Sequence, residues 1–375
     1  MKKENGFIKF LLILITIVLA GIVILFGYVM YNEFAGNGDF SFDNLELIYP
    51  KIENQESNNK IDNAKPTSST KLDVSLNQTQ ETNNNDYSNN YLYKQLNTDE
   101  KIIYQKLYEN KENLKTGTFR IDFGNQFQTL LSQSNGEKEL KQKYQSAIEV
   151  LIYENPEIFY LDATKMFINI EKTTKLTSTK YNVYIDSGNK VNYLADGLSG
   201  KEDIDTYQLK IEKVRDYIVS KVNGKSDYEK IKMIHDYLRD TIEYDSTLSK
   251  SNIYDIYGAL VLRECVCEGY AKSFQYLMNE VEIDNVIVIG TGTNSTGKTE
   301  NHAWNYVLLD NNWYAIDVTW DDPILIGEGK MPEESKYKYF LKGANTMNQN
   351  HVPSGKFTDA GQTFQYPMLS VEDYK

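Results

Sequence analysis

Val266-Cys267-Glu268-Gly269-Tyr270-Ala271-Lys272-Ser273-Phe274 is the stretch on which the fold turns. Beyond Gly269, the residues Ala271, Phe274, Leu277 and Met278 recur at helical spacing, which predicts a helix from Cys267 to about Glu280 with the thiol in its first turn. Unpaired backbone amides and the helix dipole favour an anionic sulfur there. The same amide end can hydrogen-bond an oxyanion as an attacked carbonyl carbon becomes tetrahedral, so nucleophile activation and transition-state stabilisation would share one element.

The chain's other cysteine, Cys265, lies one residue away. Neighbours this close barely meet the geometry of a disulfide, so a structural disulfide framework is not expected. An extended i, i+2 pair does put both thiols on one side, which invites a zinc reading with His302 or Asp321 as further ligands. Structural zinc sites space their thiols more widely, and neither a metal nor a cofactor is expected.

Downstream, three strand-like runs cover 286–290, 303–309 and 313–318. A loop over 291–299, rich in Gly, Asn, Ser and Thr, separates the first two, and Asp310-Asn311-Asn312 makes the turn between the second and third. His302, one of only three histidines, opens the second strand, and Asp317 lies near the end of the third. Across a short hairpin the carboxylate can take the proton on one imidazole nitrogen while the other faces sulfur. Thiol, imidazole and carboxylate in this order are the parts of a nucleophile, its base and the base's orienting group. Coincidental packing of three such groups is the bland alternative and the weaker one.

The strings Val-Cys-Glu-Gly-Tyr-Ala-Lys-Ser-Phe from Val266, His-Ala-Trp-Asn-Tyr-Val from His302 and Trp-Tyr-Ala-Ile-Asp-Val-Thr-Trp-Asp-Asp-Pro from Trp313 resemble the transglutaminase-like superfamily, in particular membrane-anchored or secreted bacterial members. The resemblance covers 207–341. It implies an α+β fold with a papain-like core, in which a nucleophile helix packs on an antiparallel sheet bearing the His and Asp. It also implies Cys267 as nucleophile, His302 as base and Asp317 as orienting acid, with Cys265 a bystander. Eukaryotic members support the oxyanion with a tryptophan upstream of the nucleophile, whereas Trp304, Trp313 and Trp320 all lie downstream here. The second oxyanion donor therefore falls to residues such as Tyr244, Tyr254, Tyr257 and Tyr270, and we take Tyr270, Trp304 and Tyr257 as the substrate-binding or oxyanion candidates. Asp317, Asp321 and Asp322 form an acidic cluster, but three carboxylates alone do not make a calcium loop. The extra β domains of the large eukaryotic enzymes are missing, which weakens any case for protein crosslinking.

Upstream of this region, Asp227 is placed to cap a helix through Ile231, Ile234, His235, Leu238 and Ile242, preceded by another through Ile204, Leu209, Ile211, Val214 and Ile218. His235, between apolar neighbours, reads as a packing residue. The region 96–202 reads as a small α+β module: a helix capped by Thr98 and Asp99, a second through Leu140, Tyr144, Ile148, Leu151 and Ile152 up to Pro156, then alternating strands over 166–170 and 181–185.

The N-terminal third is of another kind. No residue of 10–32 is charged, long enough for a helix across a hydrocarbon core of about 30 Å. Lys2, Lys3 and Lys9 precede it while Glu33, Asp39, Asp43 and Glu46 follow, so the positive-inside rule predicts a cytoplasmic tail at 1–9, an anchor at 10–32 and the remainder outside the cell. The Asn-, Ser-, Thr-, Gln- and Lys-dominated composition of 54–90 predicts a disordered stalk, drawn at 33–95. The module at 96–202, a catalytic domain at 203–345 and a C-terminal extension at 346–375 complete the division.

A net charge of −13 with no basic stripe excludes a nucleic-acid footprint. The chain is therefore expected to be a membrane-tethered extracellular thiol enzyme that cleaves or transfers amide acyl groups of cell-wall peptides or surface proteins. The alternative from a different class is a catalytically silent domain serving as a cell-surface binding or scaffold module.

Overall fold

The computed structural model describes residues 90–248, 250–322 and 333–375, which all fall in one compact unit. The expected tail, anchor and most of the stalk lie outside them. Among the described residues no helix is long and apolar enough to cross a membrane.

Helix α1, Thr98–Glu109, is capped by Asn97 rather than by Thr98 or Asp99. Asn97 Oδ1 accepts the Glu100 amide at 3.1 Å and the Glu100 carboxylate returns to the Asn97 amide at 2.8 Å, a reciprocal capping box. Strand β1, Ile121–Gly124, precedes helix α2, Gly136–Glu154, whose buried Leu140, Tyr144, Ile148 and Leu151 are the predicted stripe. The hairpin β2, Phe167–Lys175, and β3, Ser178–Asp186, is longer than the alternation suggested and forms a three-stranded sheet in the order β1-β3-β2. Helices α3, Lys201–Val222, and α4, Asp227–Thr241, follow. The cap of α4 is Ser226, again through a capping box, with Glu229; Asp227 occupies the first helical position instead.

The two-residue strands β4, Glu243–Tyr244, and β5, Glu264–Cys265, pair in parallel, with Tyr244 opposite Cys265. Helix α5 then runs Cys267–Glu280, as its periodicity predicts. Gly269 is needed inside its first turn, because a Cβ there would sit 2.6 Å from Cys265 Cβ and 2.9 Å from Ile253 O.

An antiparallel sheet receives this helix, built from β6, Asn285–Thr293, β7, Thr299–Leu309, β8, Asn312–Ile316, and β9, His351–Pro353, in the order β8-β7-β6-β9. The pairing of β6 and β7 continues out to Thr293↔Thr299, so both ends of the Gly- and Thr-rich segment read as loop are strand and only 294–298 make the turn. Ala271 of α5 packs on Ile287 and Ala303 of the sheet, and Asn305 Nδ2 donates to Ala271 O at 3.0 Å. Small residues let helix and sheet approach closely here. Buried Phe274, Leu277 and Met278 continue the contact into the main core.

Candidate active site

The β4–β5 pair feeds the chain directly into α5. Asp245 N–H donates to Cys265 O and Val266 N–H to Ile253 O, which pins the extended residues before the helix. Cys265 ends wholly buried, and that burial pushes its thiol well up, away from reactivity. Cys267, two residues on, is half-buried at the first helical position. Val266 at the N-cap offers no side-chain cap, and the amides of Gly269 and Tyr270 both turn back to Val266 O. The amides of Cys267 and Glu268 are left beside the sulfur, where an oxyanion would form.

His302 is the fourth residue of β7 rather than its first. Its Nε2 donates to Asp317 Oδ2 at 2.7 Å, and Cys267 stands near enough to raise the basicity of the ring. Burial alone would lower the basicity of this imidazole. The Asp317 charge and hydrogen bond, followed by the contact with Cys267, outweigh burial and push its pKa up to about 10. Asp317 is fully buried one residue past the end of β8. Burial raises its pKa, but the His302 charge and hydrogen bond, with those of His351, hold the carboxyl well below the usual range. Asp317 Oδ1 accepts the Trp320 amide at 3.1 Å.

The sequence did not single out His351. Its Nε2 donates to Asp317 Oδ2 at 3.0 Å, from the fourth strand of the sheet. A lone histidine in a segment taken for an extension carries no motif, and only strand order brings it in. Residues 346–375, expected to be an extension, thus contribute β9 to the sheet. His302, Asp317 and His351 hold their potential ligand atoms within 4.8 Å of one another. The 2.7 and 3.0 Å separations are those of N–H···O bonds, and a first-row metal between these atoms would have to sit about 2.0–2.2 Å from each. The donor set therefore reads as a proton network.

The aromatic and acidic candidates fare unequally. Trp304 is buried with its ring 5.8 Å from that of His302, and Trp320 stacks at 5.0 Å; together they wall the imidazole. Tyr270 is turned elsewhere: its hydroxyl donates to Asp322 at 2.6 Å and also meets Ile242 O. Tyr257 stacks on Tyr207 at 3.8 Å. Neither is aimed at the sulfur, because both rings are committed to packing between elements. Tyr244 is the tyrosine that the sulfur's charge reaches: burial first, then the charge of Cys267, pushes this phenol up to about 12. The acidic cluster does not converge on a calcium site either. Asp321 takes His235 Nε2 at 3.1 Å and the Tyr339 amide at 2.8 Å, Asp322 takes Tyr270, and Asp317 takes the two histidines.

Residues 215–318 match the model of the Transglutaminase-like superfamily. The kyphoscoliosis peptidase of Mus musculus is 25% identical over 170 residues, covering 42% of this chain and 26% of that protein. Its Homo sapiens counterpart is 26% identical over 176 residues with the same coverage of 42% and 26%. The chain thus spans about a quarter of the length of the curated relatives it matches. Among solved structures, a TGase aligns with 17% identity and a TM-score of 0.29, over 48% of this chain and 50% of that one. The periplasmic domain of TgpA from Pseudomonas aeruginosa aligns with 12% identity and a TM-score of 0.23, over 42% and 63%.

Proposed function

From a core over residues 215–318 that belongs to the transglutaminase-like superfamily, we propose that this chain is a thiol enzyme that opens amide bonds through an acyl-enzyme on Cys267. One observation supports this above the rest: a half-exposed cysteine in the first turn of a helix lies beside a histidine whose Nε2 is held at 2.7 Å by a buried carboxylate. Cys267 sulfur attacks the carbonyl carbon, and the amides of Cys267 and Glu268 receive the oxyanion with the Tyr244 phenol as a further donor. The C–N bond then breaks, His302 protonates the leaving amine, and a thioester remains. Water or an amine takes the acyl group and restores the thiol, with His302 taking up the attacking group's proton.

The substrate class we infer is peptide or protein amides, glutamine side chains included. The relatives named as peptidases favour cleavage. The uncharged run over 10–32, with its preceding lysines, favours a membrane-tethered enzyme working outside the cell on surface proteins or wall peptides. A decisive experiment exposes the protein and its Cys267→Ala variant to a panel of wall peptides and to glutamine peptides with a labelled amine, read by mass spectrometry. Cys267-dependent release or amine incorporation is expected. Identical products from both proteins would end this reading.

A further inference from the structure

Asp317 is enclosed on every side, so its oxygens have only protein donors to meet. Oδ1 takes the Trp320 amide. Oδ2 takes two N–H groups, from His302 at 2.7 Å and from His351 at 3.0 Å. A carboxylate only accepts, so both histidines present a protonated Nε2 to the same oxygen. His351 is itself tied into a closed circuit: its Nδ1 meets Asn350 Oδ1 at 2.8 Å, Asn350 Nδ2 donates to the Tyr339 hydroxyl at 2.7 Å, and Asp317 N–H donates to Tyr339 O at 3.1 Å. Strand β9 fixes the residue in register, with His351 opposite Gly292 and Thr293 N–H donating to Asn350 O at 2.8 Å. The ring is wedged 4.4 Å from Trp320, 5.0 Å from Trp304 and 5.3 Å from Tyr339. So much structure around one nitrogen–oxygen contact is more than packing requires.

We propose that His351 is a positioning residue for the thiol chemistry, fixing the Asp317 carboxylate in the orientation from which Oδ2 meets His302, so that the working assembly is the four-membered chain Cys267, His302, Asp317 and His351. This rests on the reading of Cys267 as the nucleophile. It also places one member outside the matched family segment, which ends at Val318. Without the His351 donor, Oδ2 loses one of its two partners in a site that water does not reach. The carboxyl then binds a proton at higher pH, and a neutral carboxyl no longer holds the charge that develops on His302. The titratable groups facing this oxygen are His302 from β7, with Cys267 of α5 beyond it, His351 from β9, and Asp321 in the turn after β8, itself bound to His235 of α4; the Tyr339 phenol stands behind Asn350.

The test is the rate of Cys267 alkylation by iodoacetamide, followed by peptide mapping across about pH 5 to 10, with melting temperatures, in the wild type, His351→Phe and His351→Gln. Phenylalanine keeps a ring among Trp320, Trp304 and Tyr339 but offers no donor; the glutamine amide restores an N–H near the Nε2 position. For His351→Phe the rate at neutral pH should fall about tenfold, the factor one charge-assisted hydrogen bond commands, and the acid limb should move up by about one pH unit. His351→Gln should stay within about threefold of wild type. Profiles for Phe and Gln that coincide, with each other or with wild type, overturn the proposal whatever the melting temperatures do. If wild-type Cys267 alkylates no faster than glutathione, the nucleophile reading itself fails and the proposal with it.

Discussion

His302 and Asp317 meet on a diagonal rather than face to face. The ladder between β7 and β8 ends at Asn305↔Ile316, so the position opposite Asp317 would be Trp304, and the 2.7 Å bond to His302 reaches two residues beyond it on the same face. The turn after β8 makes this possible. Trp320 N–H donates to Asp317 Oδ1 and Asp321 N–H to Asp317 O, bending the carboxylate back toward β7. Asp317→Asn should therefore leave the turn formed but present an amide to two N–H donors. Turnover on any substrate the wild type accepts is expected to fall by about 10³-fold, with the fold intact by circular dichroism. A loss below tenfold would mean that His302 is oriented by something else.

The imidazole's raised proton affinity has a consequence for stability. His302 rises from 6.5 to about 10 in the folded chain, opposed by burial and driven by Asp317. A group raised on folding contributes stability that is fully present below its unfolded value and is lost as pH climbs through the folded one. Urea midpoints of the wild type should fall progressively from about pH 6.5 to about 10, more steeply than those of His302→Gln. Tyrosines and lysines titrate there in both proteins, so the difference between the two curves is the quantity to read. Parallel curves would remove the His302–Asp317 ion pair from the account.

The helix bearing Cys267 was legible because a 3.6-residue apolar repeat begins at a cysteine, and periodicity is local information. The strands at 286–290, 303–309 and 313–318 were legible for the same reason, though their ends were not: Gly292 and Thr293 look like loop until the facing strand supplies their partners. His351 was beyond reach, since it joins Asp317 only through the strand order β8-β7-β6-β9, a non-local fact. The caps missed at Thr98 and Asp227 show a finer limit. Asn97-Thr98-Asp99 and Ser226-Asp227 each offer adjacent residues able to cap, and the glutamate three positions after Asn97 and Ser226 decides between them. Aromatic abundance says nothing of direction, so it could not rank Tyr270 and Tyr257 against Tyr244. The parallel register sets Tyr244 beside Cys265, two residues before Cys267, and that pairing is non-local.

Tyr244 supplies the next prediction. With its phenol pushed up to about 12, it stays protonated throughout the neutral range and can donate to an oxyanion. Tyr244→Phe removes that donor without changing the ring. kcat should fall by about 10²-fold with KM little altered, since the bond is made only as charge develops on the carbonyl oxygen. Equal effects on kcat and KM, or none on either, would reduce Tyr244 to a wall of the site.

The third buried histidine secures the turn that positions Asp317. His235 of α4 is wholly buried and bonds Asp321 Oδ2 through Nε2 and Asp236 Oδ1 through Nδ1, both at 3.1 Å, while Asp321 Oδ1 holds the Tyr339 amide at 2.8 Å. Asp321→Ala strands the imidazole edge and that amide in a site closed to water, which should cost about 3–5 kcal/mol of unfolding free energy. Asp321→Asn keeps an acceptor for Tyr339 but gives up the charge and turns an NH2 donor toward His235 Nε2 in place of an acceptor, so about 1.5–3 kcal/mol is expected. Urea unfolding of the two variants separates the contributions of charge and connectivity. A cost below about 1 kcal/mol for alanine would mean that α4 and the turn are held together by packing alone.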